Sequence, residues 1–186
     1  MRRIVLAAVL GGLAVFVWSF LSHMVLPLGE AGVRGLPPDS GVLEAFRNGL
    51  PEPGLYLFPG EPGEDSPEAM AAWEQQYRTG PTGLLAYRPV GGEFSFPRHL
   101  SLELLTNILA AFLAALVLAR ISGTYLSRAL LVAGLGIFAW LSVSVSYWIW
   151  YGFPSAFILG EGLDQLLGWL VAGLVIAKVV PGTRSA

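Results

Sequence analysis

Hydrophobic residues in this chain fall into four long runs, and most of the polar residues lie between the first run and the second. A helix needs about 20 mostly apolar residues to cross a bilayer. Residues 4–26 form the first run, stopped by Pro27 and Gly29. Residues 100–119 form the second, closed by Arg120, and residues 129–151 the third, closed by Gly152 and Pro154. The fourth covers residues 160–180 and ends at Pro181-Gly182, with Glu161 and Asp164 in its first turns. The pattern predicts an all-α membrane protein, a four-transmembrane-helix bundle.

The polar stretch is more than a linker. Ser40 is placed to cap a short helix over 41–48, ended by Gly49. Residues 54–58 read as a strand. Ser66-Pro67-Glu68 combines an N-cap, a first-turn proline and an acid favoured by the helix dipole, so a helix runs to Thr79 and stops at Gly80. Residues 83–88 read as a second strand. The strands are expected to pair, with the helix packed on them. The spans therefore carry a small α+β extracytoplasmic insertion, and the chain divides into 1–26, 27–99 and 100–186. Two strands alone are marginal in water, so this insertion needs the membrane helices, the bilayer surface or another subunit.

Lys and Arg near span ends orient a membrane protein. Arg2, Arg3, Arg120, Arg128, Lys178 and Arg184 all fall on one side if the spans alternate. That side is read as the cytoplasm, and both termini belong there. The loop over 23–99, with ten acids against five arginines, is then outside. Trp18, Tyr147, Trp148, Trp150, Tyr151, Phe153 and Phe157 gather at the outer span ends, where amphipathic rings anchor. A second reading of the run 147–151 is an aromatic wall for a lipid, quinone or pigment.

Composition agrees with the hydropathy pattern. Charged residues are 13% of the chain, about half the soluble norm of roughly 25%. There is no cysteine, which removes disulfides, thiolate metal sites and cysteine nucleophiles. Met1-Arg2-Arg3 before an apolar run resembles a signal peptide, but the run is long and no cleavage site follows clearly. It is read as an uncleaved span. The stretches 18–32 and 148–169 resemble bacterial membrane proteins without an assigned activity, and no residue roles carry over from that resemblance.

Ionisable residues within spans are functional suspects. His23, His99, Glu103, Glu161 and Asp164 share one level near the outer leaflet and are the candidate metal ligands. Two histidines and three carboxylates suit zinc, manganese or iron, although no pair has diagnostic metal-site spacing. Asn107, Ser142, Ser146, Trp148 and Gln165 are further candidates for a pocket there. Glu103, Asn107, Ala111, Ala115 and Ala119 form one ridge at helical spacing, and Asp164, Gly168 and Ala172 form another. Small residues let membrane helices approach closely, so the polar ends are expected to converge on a pocket. In the competing view, the acids only complement helix dipoles and the histidines only sit at a wet interface.

Other chemistry fails on inventory. Ser22 and His23 are adjacent, and adjacent side chains on a helix are expected to diverge rather than form a dyad. There is no phosphate-binding loop, dinucleotide fingerprint or nucleophile elbow. Two histidines on one side exclude a pair of haems across the membrane; a single bis-histidine haem is conceivable on that inventory but has no further support, and the identity of any cofactor stays open. A proton or ion path lacks charged residues in the lower half of the spans. Nucleic acid is not a partner for an acidic loop and tiny cytoplasmic segments. The partners expected are the lipid bilayer and other membrane subunits or further copies of the chain. Two functions follow: a non-catalytic accessory or scaffold subunit of a bacterial membrane assembly, or a pocket protein that binds or processes a hydrophobic small molecule, lipid or metal.

Overall fold

The four apolar runs each become a helix in the computed structural model, which describes residues 1–182. Arg184 lies outside the described residues. In chain order the elements are α1 (Arg2–Met24), α2 (Val42–Gly49), β1 (Gly54–Phe58), α3 (Pro67–Thr79), β2 (Gly83–Tyr87), α4 (Phe96–Leu118), α5 (Tyr125–Ser142), α6 (Ser144–Tyr151) and α7 (Ser155–Val179). Four helical stretches are long and apolar enough to cross a membrane: Arg2–Met24, Phe96–Leu118, Tyr125–Tyr151 and Ser155–Val179. The chain is a mostly helical, multi-pass membrane protein with a small two-stranded sheet. It divides into two units, one of residues 1–33, 94–145 and 155 onward, the other of residues 34–93 and 146–154.

Helix starts differ from the hydropathy limits for a simple reason. α4 begins at Phe96 rather than 100, because Pro97 is tolerated in a first turn and the polar residues after it still favour a helix. α7 begins at Ser155 rather than 160, since residues 155–159 follow Pro154 and contain no proline or glycine to break the helix. The third span is broken at Val143, where φ is −115° and ψ −64°. Ser142 precedes the break, and its hydroxyl donates back to Phe138 O (2.8 Å) and Ala139 O (3.2 Å), a bond pattern that bends helices.

In the first unit α1 packs on α4 and α7, and α7 packs on α5. Glycine sets the spacing. A Cβ on Gly12 would lie 2.6 Å from the Ile108 Cα, and one on Gly173 would lie 2.5 Å from the Ala129 carbonyl oxygen. Three indoles lie against glycines of a facing helix: Trp18 on Gly168, Trp140 on Gly162 and Trp169 on Gly136. The core is mostly alanine, including Ala7, Ala111, Ala115, Ala129 and Ala172, with Leu118, Val132 and Ile176 as its larger members. Ala111 and Ala115 of the α4 ridge and Gly168 and Ala172 of the α7 ridge are thus buried as their spacing predicts, with Ala119 half-buried at the end of its row. Dispersion at short range holds such helices together in lipid, where water exclusion contributes little.

Arg128 is not the flanking surface charge that the sequence suggests. It lies in the first turn of α5 and is only 4% exposed. Its guanidinium donates from Nη1 to Val180 O (2.8 Å) and from Nη2 to Leu118 O (3.1 Å). Leu118 ends α4 and Val180 follows α7, so one side chain satisfies carbonyls left over at the ends of two helices.

In the second unit β1 and β2 pair antiparallel, from Gly54 opposite Tyr87 to Phe58 opposite Gly83. Ser66 caps α3 by accepting from the Ala69 amide at 3.2 Å. At α2 the N-cap is Gly41, with φ at +72°, while Ser40 accepts from Val42 N (3.4 Å) and donates to Pro37 O (2.7 Å). The predicted packing of α3 over the strands is corrected. α3 buries none of its residues and is tied to the turn after β1 by Trp73, whose indole donates to Pro59 O at 3.3 Å. Phe46 and Tyr56 each meet Tyr87 edge-on, with ring centres 6.2 Å apart. No residue from 34 to 93 is buried. The aromatic run on α6 packs on itself, Tyr147 lying 5.8 Å from Tyr151 and 5.3 Å from Phe153 between ring centres.

Candidate functional site

A cavity of about 470 Å³ lies among α1, α4 and α7 in the first unit. Phe16, Trp18, Phe20, Phe96, Leu100 and Trp169 form most of its apolar lining. Its polar lining is Ser19, His23, Glu103, Asn107, Glu161, Asp164 and Gln165. Six of the ten residues singled out from the sequence therefore reach one space: His23, Glu103, Glu161, Asp164, Asn107 and Gln165.

Each carboxylate there is held by a neutral donor. Trp18 Nε1 donates to Asp164 Oδ1 at 2.7 Å, joining residues 146 apart in the chain. Ser144 Oγ donates to Glu161 Oε2 at 3.0 Å. Asn107 Nδ2 donates to Glu103 Oε1 at 3.2 Å, one turn along α4. Trp169 Nε1 donates to Gln165 Oε1 at 3.0 Å. Among the described residues the one ion pair is Arg78 with Glu74, on α3. No lysine or arginine lines the cavity.

The histidines behave differently from each other. His23 lines the cavity, and its ring covers Gly29, where an added Cβ would collide with it. Its Nδ1 lies 2.9 Å from Ser22 Oγ and 3.1 Å from Ser19 O. The expected divergence of Ser22 and His23 is therefore corrected: at the end of α1 the two side chains meet. Ser22 is fully buried and its hydroxyl also reaches Ser19 O at 3.2 Å, so this contact fixes the ring and presents no accessible nucleophile. His99 is absent from the cavity lining. It hydrogen-bonds Ser95 O at 2.7 Å and stacks on Phe94 with ring centres 5.0 Å apart. Among the described residues no three His, Asp or Glu side chains gather as a metal-binding group. The five candidate ligands come from three helices, and the carboxylates are each turned to a different donor.

Ser142 bonds back to its own helix and does not line the cavity. Ser146 and Trp148 lie on α6, in the part assigned to the second unit. Three residues that matter here escaped sequence reasoning. Ser144 looks like any small residue of an apolar run. Trp18 looks like an interfacial anchor, yet its N–H is committed to Asp164. Trp140 donates to Ile158 O at 2.8 Å, locking α5 to α7. A faint signal existed for Trp18: it and Asp164 belong to the same expected level of their spans. The chain matches no protein-family model, and comparison with curated proteins and with solved structures likewise finds no significant match.

Proposed function

We propose that this chain is a non-catalytic subunit, accessory or scaffold, of a larger assembly in a bacterial inner membrane, with both termini cytoplasmic and the 27–99 loop extracytoplasmic. One observation carries the reading: not one residue of 34–93 is buried, although that segment has two paired strands and two helices. Leu36, Leu55, Tyr77 and Val90 are 53%, 67%, 46% and 81% exposed. A segment that cannot bury apolar surface cannot offset the entropy of ordering itself. A covering partner supplies the missing burial. The loop's ten acids against five arginines favour a partner surface that is basic around an apolar centre.

The test is extraction of the native membrane in mild detergent, followed by mass spectrometry of the intact particle. The expected result is a stoichiometric complex with at least one other membrane subunit. Recovery of the chain as a lone monomer, with amides of 34–93 as protected as those of α5 and α7, sinks the reading.

The cavity supports a second reading, that the first unit binds a hydrophobic small molecule or lipid at its polar cluster. Its support is a partly open space of about 470 Å³ lined by both rings and polar groups, a size typical of small-molecule sites.

A further inference from the structure

We infer that the cavity takes an organic cation: a positively charged nitrogen or phosphorus centre on an apolar body, seated among α1, α4 and α7. The inference rests on the second reading above and names its ligand class. Shape and lining come first. The space is of small-molecule size and lies beside a helix core packed to alanine contact. Five aromatic residues from three helices line it, Phe16, Trp18 and Phe20 from α1, Phe96 from α4 and Trp169 from α7. Such walls take an apolar body, and aromatic faces attract a cation.

Charge then selects among apolar ligands. Glu103, Glu161 and Asp164 line the space and no lysine or arginine does. Each has one oxygen engaged, by an amide, a hydroxyl or an indole N–H respectively for Glu103, Glu161 and Asp164. Neutral donors orient a carboxylate but do not cancel its charge, and an uncompensated charge next to lipid is costly. An anionic or neutral guest leaves that cost in place, while a cation offsets it. A compact metal ion is a poorer match. It needs several oxygen or nitrogen ligands at about 2.0–2.6 Å, and no such group of three exists among the described residues. A diffuse organic cation needs no common ligand point, only several acids and rings around one space.

The test uses two ions of the same shape and opposite charge, tetraphenylphosphonium and tetraphenylborate. The full chain is placed in nanodiscs of uncharged phosphatidylcholine, and tryptophan fluorescence is followed against empty discs. The expected result is saturable quenching by the phosphonium and none by the borate. Asp164→Asn and Glu103→Gln keep an acceptor for Trp18 and Asn107, so both variants retain the local hydrogen bond. Each is expected to weaken phosphonium binding about tenfold. Glu103 is exposed on α4, so its variant tests the idea even if the α7 variant fails to fold. Saturable binding of both ions with equal affinity overturns the cation inference and leaves the cavity reading standing. Saturation by neither overturns both. Phosphonium binding unchanged in both variants also overturns the inference.

Discussion

The α5–α7 contact and the β1–β2 pair use the same device, an aromatic ring laid over a glycine, with opposite results. Between the helices, Trp140 covers Gly162 and Trp169 covers Gly136, and each indole N–H is bound. Between the strands, Phe58 lies over its register partner Gly83, where a Cβ would come 2.7 Å from the ring. Yet Phe58 stays 37% exposed, while Gly136 and Gly162 are buried. Ring-on-glycine contact closes a gap only where long surfaces already face each other. Helices of 18 and 25 residues supply such surfaces. Strands of five residues do not, and a lone strand pair is marginal.

The sharpest break of that comparison is at Arg128. Arg128→Met leaves the Val180 and Leu118 carbonyls without their donor. Hydrogen bonds to a charged group contribute roughly 1.5–3 kcal/mol each. The variant is expected to lose about 3 kcal/mol in thermal unfolding followed by helical circular dichroism, with exchange of the 34–93 amides unchanged. Equal melting of the two proteins would mean that the three helix ends do not depend on this clamp.

A smaller effect is expected from glycine. Gly173→Leu forces a side chain against the Ala129 carbonyl oxygen, 2.5 Å from the Cβ position, and overpacking costs about 1–3 kcal/mol. Gly91→Leu, where nothing lies within 4 Å of the added Cβ, should melt with the parent protein. Similar losses at both positions would erase the distinction between the two regions.

The smallest effect is expected at Tyr87→Phe. Its hydroxyl is buried without a hydrogen-bond partner, so removal deletes an unsatisfied group and keeps the ring contacts to Phe46 and Tyr56. Stability should stay within about 0.5 kcal/mol of the parent or rise. A clear loss would show that this hydroxyl is satisfied by a group that only the assembled protein provides.

Much of this was legible along the chain, because hydropathy and caps act over a few residues. Ser66-Pro67 placed the start of α3 and Gly80 its end, and residues 54–58 and 83–88 were readable as a pair. The helical spacing of Ala111 and Ala115 and of Gly168 and Ala172 marked faces that are buried. The misreadings share a cause. Trp18 and Arg128 were judged by neighbours in sequence and Ser144 was not singled out, whereas their partners lie 146, 52 and 17 residues away. Ser22 and His23 failed in the other direction. Both side chains reach back to the Ser19 carbonyl oxygen, and there the two adjacent residues meet.

By itself, then, the sequence determined which segments are apolar enough to cross a membrane, where the helices and strands of the loop begin and end, and which residues carry charge near the span ends. These follow from local propensity and from the cost of burying polar groups in lipid. Tertiary structure alone decided that Asp164 answers to an indole of α1, that Arg128 joins the ends of α4 and α7, and that His99 stays out of the cavity while His23 enters it. Those outcomes depend on how closely helices approach, and glycines far apart in the chain set that distance.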